Sequence, residues 1–304
     1  MMSPGMRIRL ALICLGVFPG VIAAQRRVDE RHPISPDASI RLTLVVPMAT
    51  VRVIGWDRDT LSITGTIGND DRFDGGLLAS RQGAKFYVES QKAFKEKKPA
   101  ASKPVSLELR VPARSRLWIK GGGADVDIRD VTGSLDVSIV GGRIRVAGTP
   151  REVNAEAMDG NIEIVGTIPW LRAKSAAGAV TLNGGGDDVA LSSVSGNVVV
   201  DEGSITRGRF ETVTGDIRYR GTTPRDGSLT FDSHSGAVEL LFSPKAQANF
   251  DFTTISGSIS NEISSARAIA GKDMRRRELG LTLGGGGARI VARTFKGGIT
   301  LRPR

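Results

Sequence analysis

VALSSVSGNVVV, residues Val189 to Val200, reads as a strand, a bend at Gly196 and a second strand. The same phrase returns around Gly160, Gly178, Gly215, Gly236, Gly257 and Gly297. Two residues after each bend stand Ile162, Val180, Val198, Ile217, Val238, Ile259 and Ile299. Four after it stand Ile164, Leu182, Val200, Tyr219, Leu240, Asn261 and Leu301. Five before it stand Ala155, Ala173, Leu191, Phe210, Phe231, Phe252 and Ala292. Apolar residues therefore alternate with others on both sides of the glycine, which is strand periodicity.

The spacing carries as much as the pattern. Gly160, Gly178 and Gly196 are 18 residues apart, and the next steps are 19, 21 and 21. A fixed period near 20 with strand alternation inside it predicts an all-β parallel solenoid (β-helix) with turns of about 18–21 residues. Each turn sets its inward positions over those of the turn below, about 4.8 Å away. The position three before the bend is small throughout: Ala157, Ser175, Ser193, Thr212, Ser233, Thr254 and Thr294. It fits a narrow corner where stacked hydroxyls can hydrogen-bond along the coil. The glycine is expected to supply a left-handed or bulged conformation. A meander of antiparallel hairpins is the alternative, and Gly133 to Gly142, nine apart, suits it.

Around this repeat the chain divides simply. Residues 1–24 read as a secretory signal, with Arg7 and Arg9 ahead of an apolar run from Leu10 to Ile22 and small residues Ala23 and Ala24 before Gln25. That run is too short for a comfortable span of about 20 residues, so the remainder is expected to have no transmembrane span. Cys14, the sole cysteine, lies within it, which leaves residues 25–304 without thiol chemistry. Residues 25–304 are expected to form one adhesin-like β-solenoid domain with irregular insertions at about 69–104 and 262–280. The first contains the basic stretch QKAFKEKKPAASKP, read as an exposed loop. The second holds Arg275, Arg276 and Arg277 and is a candidate short helix. The phrase ARTFKGGITL is expected to close the coil at residue 301. Trp56, in the turn GWDRD, is expected to cap the end of the core.

The chain carries a net charge of +10, and +8 without Arg7 and Arg9. That excess favours anionic partners, here an acidic glycan or envelope polymer, as well as simple solubility. No aromatic–basic interleaving of an RNA-binding surface is visible, and export argues against a nucleic-acid target.

The chain also resembles a known family. ATVRVIGWDRDTLSITG at 49–65, LELRVPARSRLWIKGGGADVDIRDVTGSLDV at 107–137, and the tandem VSGNVVV, VTGDIRY and ISGSISN phrases look like the bacterial putative-adhesin domains. The resemblance covers about residues 36 to 301. It implies a non-catalytic β-solenoid of the cell envelope, periplasmic or secreted, and brings no catalytic, cofactor-binding or metal-binding residues.

The residues themselves offer little chemistry. His32 and His234 are the only histidines, far apart in sequence, so neither a transition-metal site nor a catalytic triad is indicated. Asp125, Asp127 and Asp130 form one carboxylate cluster, and Asp187 and Asp188 another. Val126 and Ile128 face inward, so Asp125 and Asp127 face solvent, as a carbohydrate-active β-helix with an Asp/Arg face would have them. The glycine clusters 121–123, 184–186 and 284–287 read as tight turns, and neither they nor the aspartates match a calcium nonapeptide. The reading is therefore a non-enzymatic binding protein without cofactors. A carbohydrate-active β-helical enzyme and a structural or regulatory envelope protein are the alternatives.

Overall fold

Each bend glycine lies against the bend glycine of the neighbouring coil. A methyl group on Gly178 would stand 2.0 Å from the carbonyl oxygen of Gly160. The corresponding distance is 2.1 Å from Gly196 to Gly178 and 2.0 Å from Gly215 to Gly196. None of the seven glycines has a positive φ, so the expectation of a left-handed bend is corrected. Glycine stands at these positions because backbone approaches backbone too closely for any Cβ.

The structure is a computed structural model that describes residues 25–78, 81–90, 104–271 and 275–304. The signal-like segment 1–24 and most of the basic stretch QKAFKEKKPAASKP lie outside the described residues. The described residues form an all-β solenoid of parallel coils, as the period requires, and not a hairpin meander. Glu152–Thr167 pairs in parallel with Ser134–Ala147 at an offset of 18 residues, and again with Trp170–Ser175 and Val180–Ser193. Each coil has two strand segments joined by two corners. Val153, Ala155, Ala157, Ile162, Ile164 and Ile168 of one coil are all buried. A single coil encloses too little apolar surface to persist alone, and stacking supplies the core. Toward the C-terminal end the core becomes aromatic. The Phe210 and Phe231 rings stack at 4.9 Å, and Tyr219 meets both.

The small position before the bend does what the stacking suggests. The Ser193 hydroxyl donates to the Gly178 carbonyl of the neighbouring coil at 2.9 Å and accepts the Gly196 N–H at 3.0 Å. Ser175 repeats this with Gly160 and Gly178, and Thr254 with Gly297 and Gly257. Ser193 is 4% exposed. Ser193→Leu is expected to destabilise the fold by about 1–3 kcal/mol through overpacking. Thermal unfolding followed by circular dichroism measures it, and an unchanged midpoint would place residue 193 outside the core.

The order of coils in space departs from the order in sequence at both ends. Ser228–Ser233 pairs with Ala288–Thr294, and Ala288–Thr294 pairs in turn with Ala248–Thr254. Val238–Phe242, Ile299–Pro303 and Ile259–Asn261 stack in the same way. The last coil of the chain therefore lies between two earlier ones. The expectation that ARTFKGGITL closes the coil is corrected: residues 248–261 form the last parallel coil. Arg277–Leu283 then adds antiparallel to Ala248–Thr254, and Ile269–Ala270 adds to it. Within and beside 262–280 the strands are therefore an antiparallel end, Arg277–Leu283 with Ile269–Ala270, and no helix occurs among the described residues.

The N-terminal end mirrors this. Ser39–Val45 and Ala49–Trp56 form a coil between Arg116–Arg129 on one side and Gly83–Ser90 with Val105–Pro112 on the other. Thr60–Gly68 adds antiparallel to Val105–Pro112, and Gln25–Pro33 adds antiparallel to Thr60–Gly68. Asp71–Leu77 and Gly83–Ser90 form an antiparallel hairpin, so much of 69–104 is ordered sheet and not an irregular insertion. Both ends finish in short antiparallel strands rich in charge, such as RRVDERHP at 26–33, which discourage further strand addition. The glycine clusters 121–123 and 184–186 lie inside the long strands Arg116–Arg129 and Val180–Ser193, not in tight turns. Only 284–287 is a turn, with positive φ at all four residues.

Candidate functional site

Trp56 does not cap the core. Leu61, Ile63 and Ile67 of the antiparallel strand Thr60–Gly68 cover that end, all at 0% exposure. Trp56 instead lies half-buried on the outer surface, its indole Nε1–H donating to the Thr60 carbonyl at 2.8 Å. The Arg58 guanidinium lies 5.2 Å from its ring centroid and that of Arg110 lies 6.0 Å away. Cation–π contact of this kind holds an indole and a guanidinium face to face.

The strand register places more arginine beside this pair. Arg31, Ser62 and Arg110 occupy one row across three adjacent antiparallel strands. With strands about 4.8 Å apart, the two guanidinium stems are separated by roughly 10 Å. Together with Trp56 and Arg58 they line a cleft of about 460 Å³. A smaller hollow of about 260 Å³ shares Trp56 and Arg58 and leads to Arg114. A third, of about 470 Å³, continues past Arg114 to Arg116 and Arg151. Six arginines thus border one continuous surface. Glu108 binds Arg110 at 3.0 Å, whereas Arg31, Arg58, Arg114 and Arg116 have no ion pair among the described residues. Elsewhere the outer face is largely self-neutralising: Arg145 meets Glu163, Arg218 meets Glu239, and Arg302 meets Glu239 and Glu262.

The carboxylate clusters fall on that self-neutralised face. Asp125 meets Arg143 at 3.8 Å, and Asp127 takes a bidentate pair of hydrogen bonds from Arg129 at 2.9 and 2.8 Å. The Arg129 hydrogen bond holds the Asp127 carboxyl below its usual range, with the charges of Arg145 and Arg52 assisting. Burial pushes Asp188 up, but Arg172 and Arg207 outweigh it and leave this carboxyl low as well. A general acid for glycoside cleavage needs the opposite shift. Asp130, with φ of 58°, is a bend residue, and Asp187 is exposed. His32 binds Glu30 at 2.9 Å, and His234 stacks on Phe295 at 5.1 Å, so the two histidines serve separate surfaces. No group of three metal-ligating side chains converges among the described residues. No helix among them is long and apolar enough to cross a membrane.

The tryptophan–arginine pairing was not legible as interleaving in the sequence. Trp118 lies under Arg41 at 5.2 Å and Trp170 under Arg172 at 4.5 Å. In each case the arginine comes from an adjacent coil or an alternate position, and only the register brings it over the ring.

A second surface lies at the glycine corner. The residues two before each bend form an outward row, in spatial order Val140, Met158, Ala176, Val194, Val213, His234, Phe295 and Ile255. Beside it runs a groove of about 570 Å³ bordered by Lys174, Glu211, Asp232 and Arg293. Burial raises the Asp232 pKa, and Arg293 and Arg209 only partly offset it.

The sequence pattern of one family, described as Toastrack DUF4097, matches residues 49–301, which takes in every coil from Ala49 onward. The chain belongs to the Toastrack DUF4097 family. The resemblance read from residues 49–65 and 107–137 is met by this family of unknown function. Among curated proteins none matches the Toastrack chain. Three solved structures are similar in fold. A putative adhesin from Bacteroides fragilis NCTC 9343 is 10% identical, with a TM-score of 0.46 over 92% of this chain and 98% of its own. A putative adhesin from Parabacteroides distasonis ATCC 8503 is 9% identical, with a TM-score of 0.40 over 92% and 97%. A putative cell adhesion protein from Clostridium sporogenes ATCC 15579 is 8% identical, with a TM-score of 0.27 over 92% and 100%. At these scores the likenesses carry no argument about what the Toastrack chain binds.

Proposed function

We propose that this protein is an exported, non-enzymatic binding protein of the cell envelope that holds an acidic glycan or similar anionic envelope polymer along the Trp56–arginine surface. The observation that carries this reading is the concentration of guanidinium groups without carboxylate partners around one half-exposed indole. Free guanidinium forks bind carboxylate, sulfate and phosphate in bidentate fashion. The indole offers a flat apolar face to a sugar ring. A surface continuous from Arg31 to Arg151 suits a polymer better than a small molecule. The low carboxyl pKa of Asp127 runs against the enzymatic alternative, and nothing on the Asp/Arg face favours it.

The test is binding to polygalacturonate, with dextran and a single-stranded oligonucleotide as controls, at low and at moderate salt. Saturable binding to the acidic polysaccharide that survives about 150 mM salt is expected, because stacking and bidentate contacts are screened less than bare charge. Trp56→Ala and Arg58→Ala are each expected to weaken it about tenfold, while Arg218→Ala, on the self-neutralised face, leaves it unchanged. Loss of all binding at moderate salt would reduce the effect to net charge. Tighter binding of the oligonucleotide would overturn the glycan assignment. Cell fractionation tests the export component, which requires the protein outside the cytoplasm.

A further inference from the structure

The corner row is an unusual place to leave apolar side chains. Val140, Met158, Val194, Val213 and Phe295 are five of the ten large apolar side chains that stand exposed among the described residues. Met158 is 59% exposed and Phe295 46%. They stand in one row, with Ala176 and His234 between them, because each coil sets its residue directly over the last. Backbone hydrogen bonds such as Ala176 N–H to the Met158 carbonyl and Lys296 N–H to the His234 carbonyl hold the row in line. A largely apolar row on an otherwise charged face marks an interaction surface.

The rows on either side identify the partner. Four residues before each bend stand, in the same spatial order, Ser138, Glu156, Lys174, Ser192, Glu211, Asp232, Arg293 and Thr253. One residue before each bend stand Gly141, Asp159, Ala177, Ser195, Thr214, Ser235, Lys296 and Ser256. Now a second copy is laid face to face and antiparallel, about a two-fold axis midway between the Val194 and Val213 coils. Such an axis sets each row against itself in reverse order. Glu156 then meets Arg293, Lys174 meets Asp232, and Asp159 meets Lys296, each occurring twice. In the apolar row Val194 meets Val213, Met158 meets Phe295, and the small Ala176 meets the large His234. A shift of one coil in one direction sets Glu156 against Asp232. A shift in the other sets Lys174 against Arg293 and Glu211 against itself. One register alone is free of like-charge contact.

Four of the six charges concerned are left over, while Asp232 and Arg293 lie 4.0 Å apart within one chain and would exchange this contact for Lys174 and Glu156 of the second copy. Glu156, Asp159, Lys174 and Lys296 have no ion pair among the described residues, on a surface where acid and base otherwise pair coil to coil. We infer that this protein forms an antiparallel two-fold dimer through the apolar corner row, with Val194 and Val213 at its centre. Self-complementary surfaces of this kind generate closed two-fold dimers. The eight coils span roughly 34 Å at about 4.8 Å per coil. A strip of that length suits an interface at the low end of the roughly 1,200–2,000 Å² typical of specific complexes, and a micromolar affinity is expected. The dimer leaves the Trp56–arginine surface free, so it stands or falls separately from the proposed function.

Sedimentation velocity on the protein purified from cells expressing the whole chain tests this. A monomer–dimer equilibrium is expected with a dissociation constant of about 1–100 µM. Val194→Lys is expected to abolish the dimer. Asp159→Lys and Lys296→Asp are each expected to weaken it about tenfold, by setting like charges across the two-fold. The double variant Asp159→Lys/Lys296→Asp is expected to recover the parent affinity, a rescue that general damage to the fold does not produce. Both charged sites are exposed at the corner, and circular dichroism confirms that the variants fold. A chain that stays monomeric to about 500 µM overturns the dimer and leaves the row to a different protein. A dimer indifferent to Val194→Lys, or a double variant no better than the singles, overturns this face or this register.

Discussion

Gly236→Ala is expected to lose about 3 kcal/mol of stability or more, at or beyond the upper end of the overpacking range. The added methyl would stand 1.8 Å from the Gly215 carbonyl oxygen, 2.5 Å from its carbon and 3.1 Å from the Asp216 nitrogen. All three are backbone atoms, so no side chain can rotate away. Ile217 N–H binds the Ala237 carbonyl at 2.8 Å and Ala237 N–H binds the Asp216 carboxylate at 2.8 Å, so separating the coils to admit the methyl breaks hydrogen bonds on both sides. For a chain of this size the loss lowers the unfolding midpoint by roughly 6–12 °C. Gly141→Ala is the matched control. It lies at the same kind of corner, beside Gly142, but no heavy atom stands within 4 Å of its added methyl and its φ is ordinary. Its effect is expected to stay within about 0.5 kcal/mol. Equal melting of the two variants would refute close approach as the reason for glycine at the bend.

The repeat was legible because every coil imposes the same demand on the same position. Inward residues at two and four after the bend, a small residue at three before it and glycine at the bend itself each answer a local steric constraint. Such constraints print a period into the sequence. Which coil lies next to which is printed nowhere. The inward residues of 288–303 meet the same kind of neighbour whether they follow residue 261 or lie between 242 and 248, so the 40-residue step from Gly257 to Gly297 gave no hint of intercalation. The antiparallel hairpin within 69–104 lacks the bend phrase and therefore looked irregular. Arg277–Leu283 was equally hidden, because an edge strand buries one face at most and its apolar alternation is faint.

The functional surfaces were less legible still. In the sequence Trp56 reads as a core cap, because its neighbours Asp57, Arg58 and Asp59 do not reveal that Arg31 and Arg110 arrive from other strands. The apolar character two residues before the bend was visible in Met158, Val194 and Val213. Period-two alternation assigns that position no particular face, since the chain is turning there. Only the stacked register turns scattered apolar residues into a strip, and only the order of coils shows which charges accompany it.

That order of coils leads to the largest effect expected here. Ending the chain after Gly287 is expected to abolish cooperative folding of the C-terminal half, although it removes only the final 17 residues. In a solenoid whose last coil in sequence is also last in space, such a deletion removes one interface and costs one nearest-neighbour contribution. Here residues 288–303 have neighbours on both sides. Ala288–Thr294 pairs with Ser228–Ser233 and with Ala248–Thr254, and Ile299–Pro303 pairs with Val238–Phe242 and Ile259–Asn261. Ile290, Ala292, Ile299 and Leu301 are each 0% exposed, so their loss opens a slot through the aromatic end of the core. The coil 248–261 and its antiparallel cap would be left without the coil they rest on. Limited proteolysis should cut the truncated chain beyond about residue 242, where the parent resists, and a synthetic peptide of residues 288–304 should restore protection by adding as a strand to both exposed edges. If the truncated protein melts within a few degrees of the parent, with no new cleavage, residues 248–283 reach a stable place without the intercalated coil, and the lock that this topology implies does not exist.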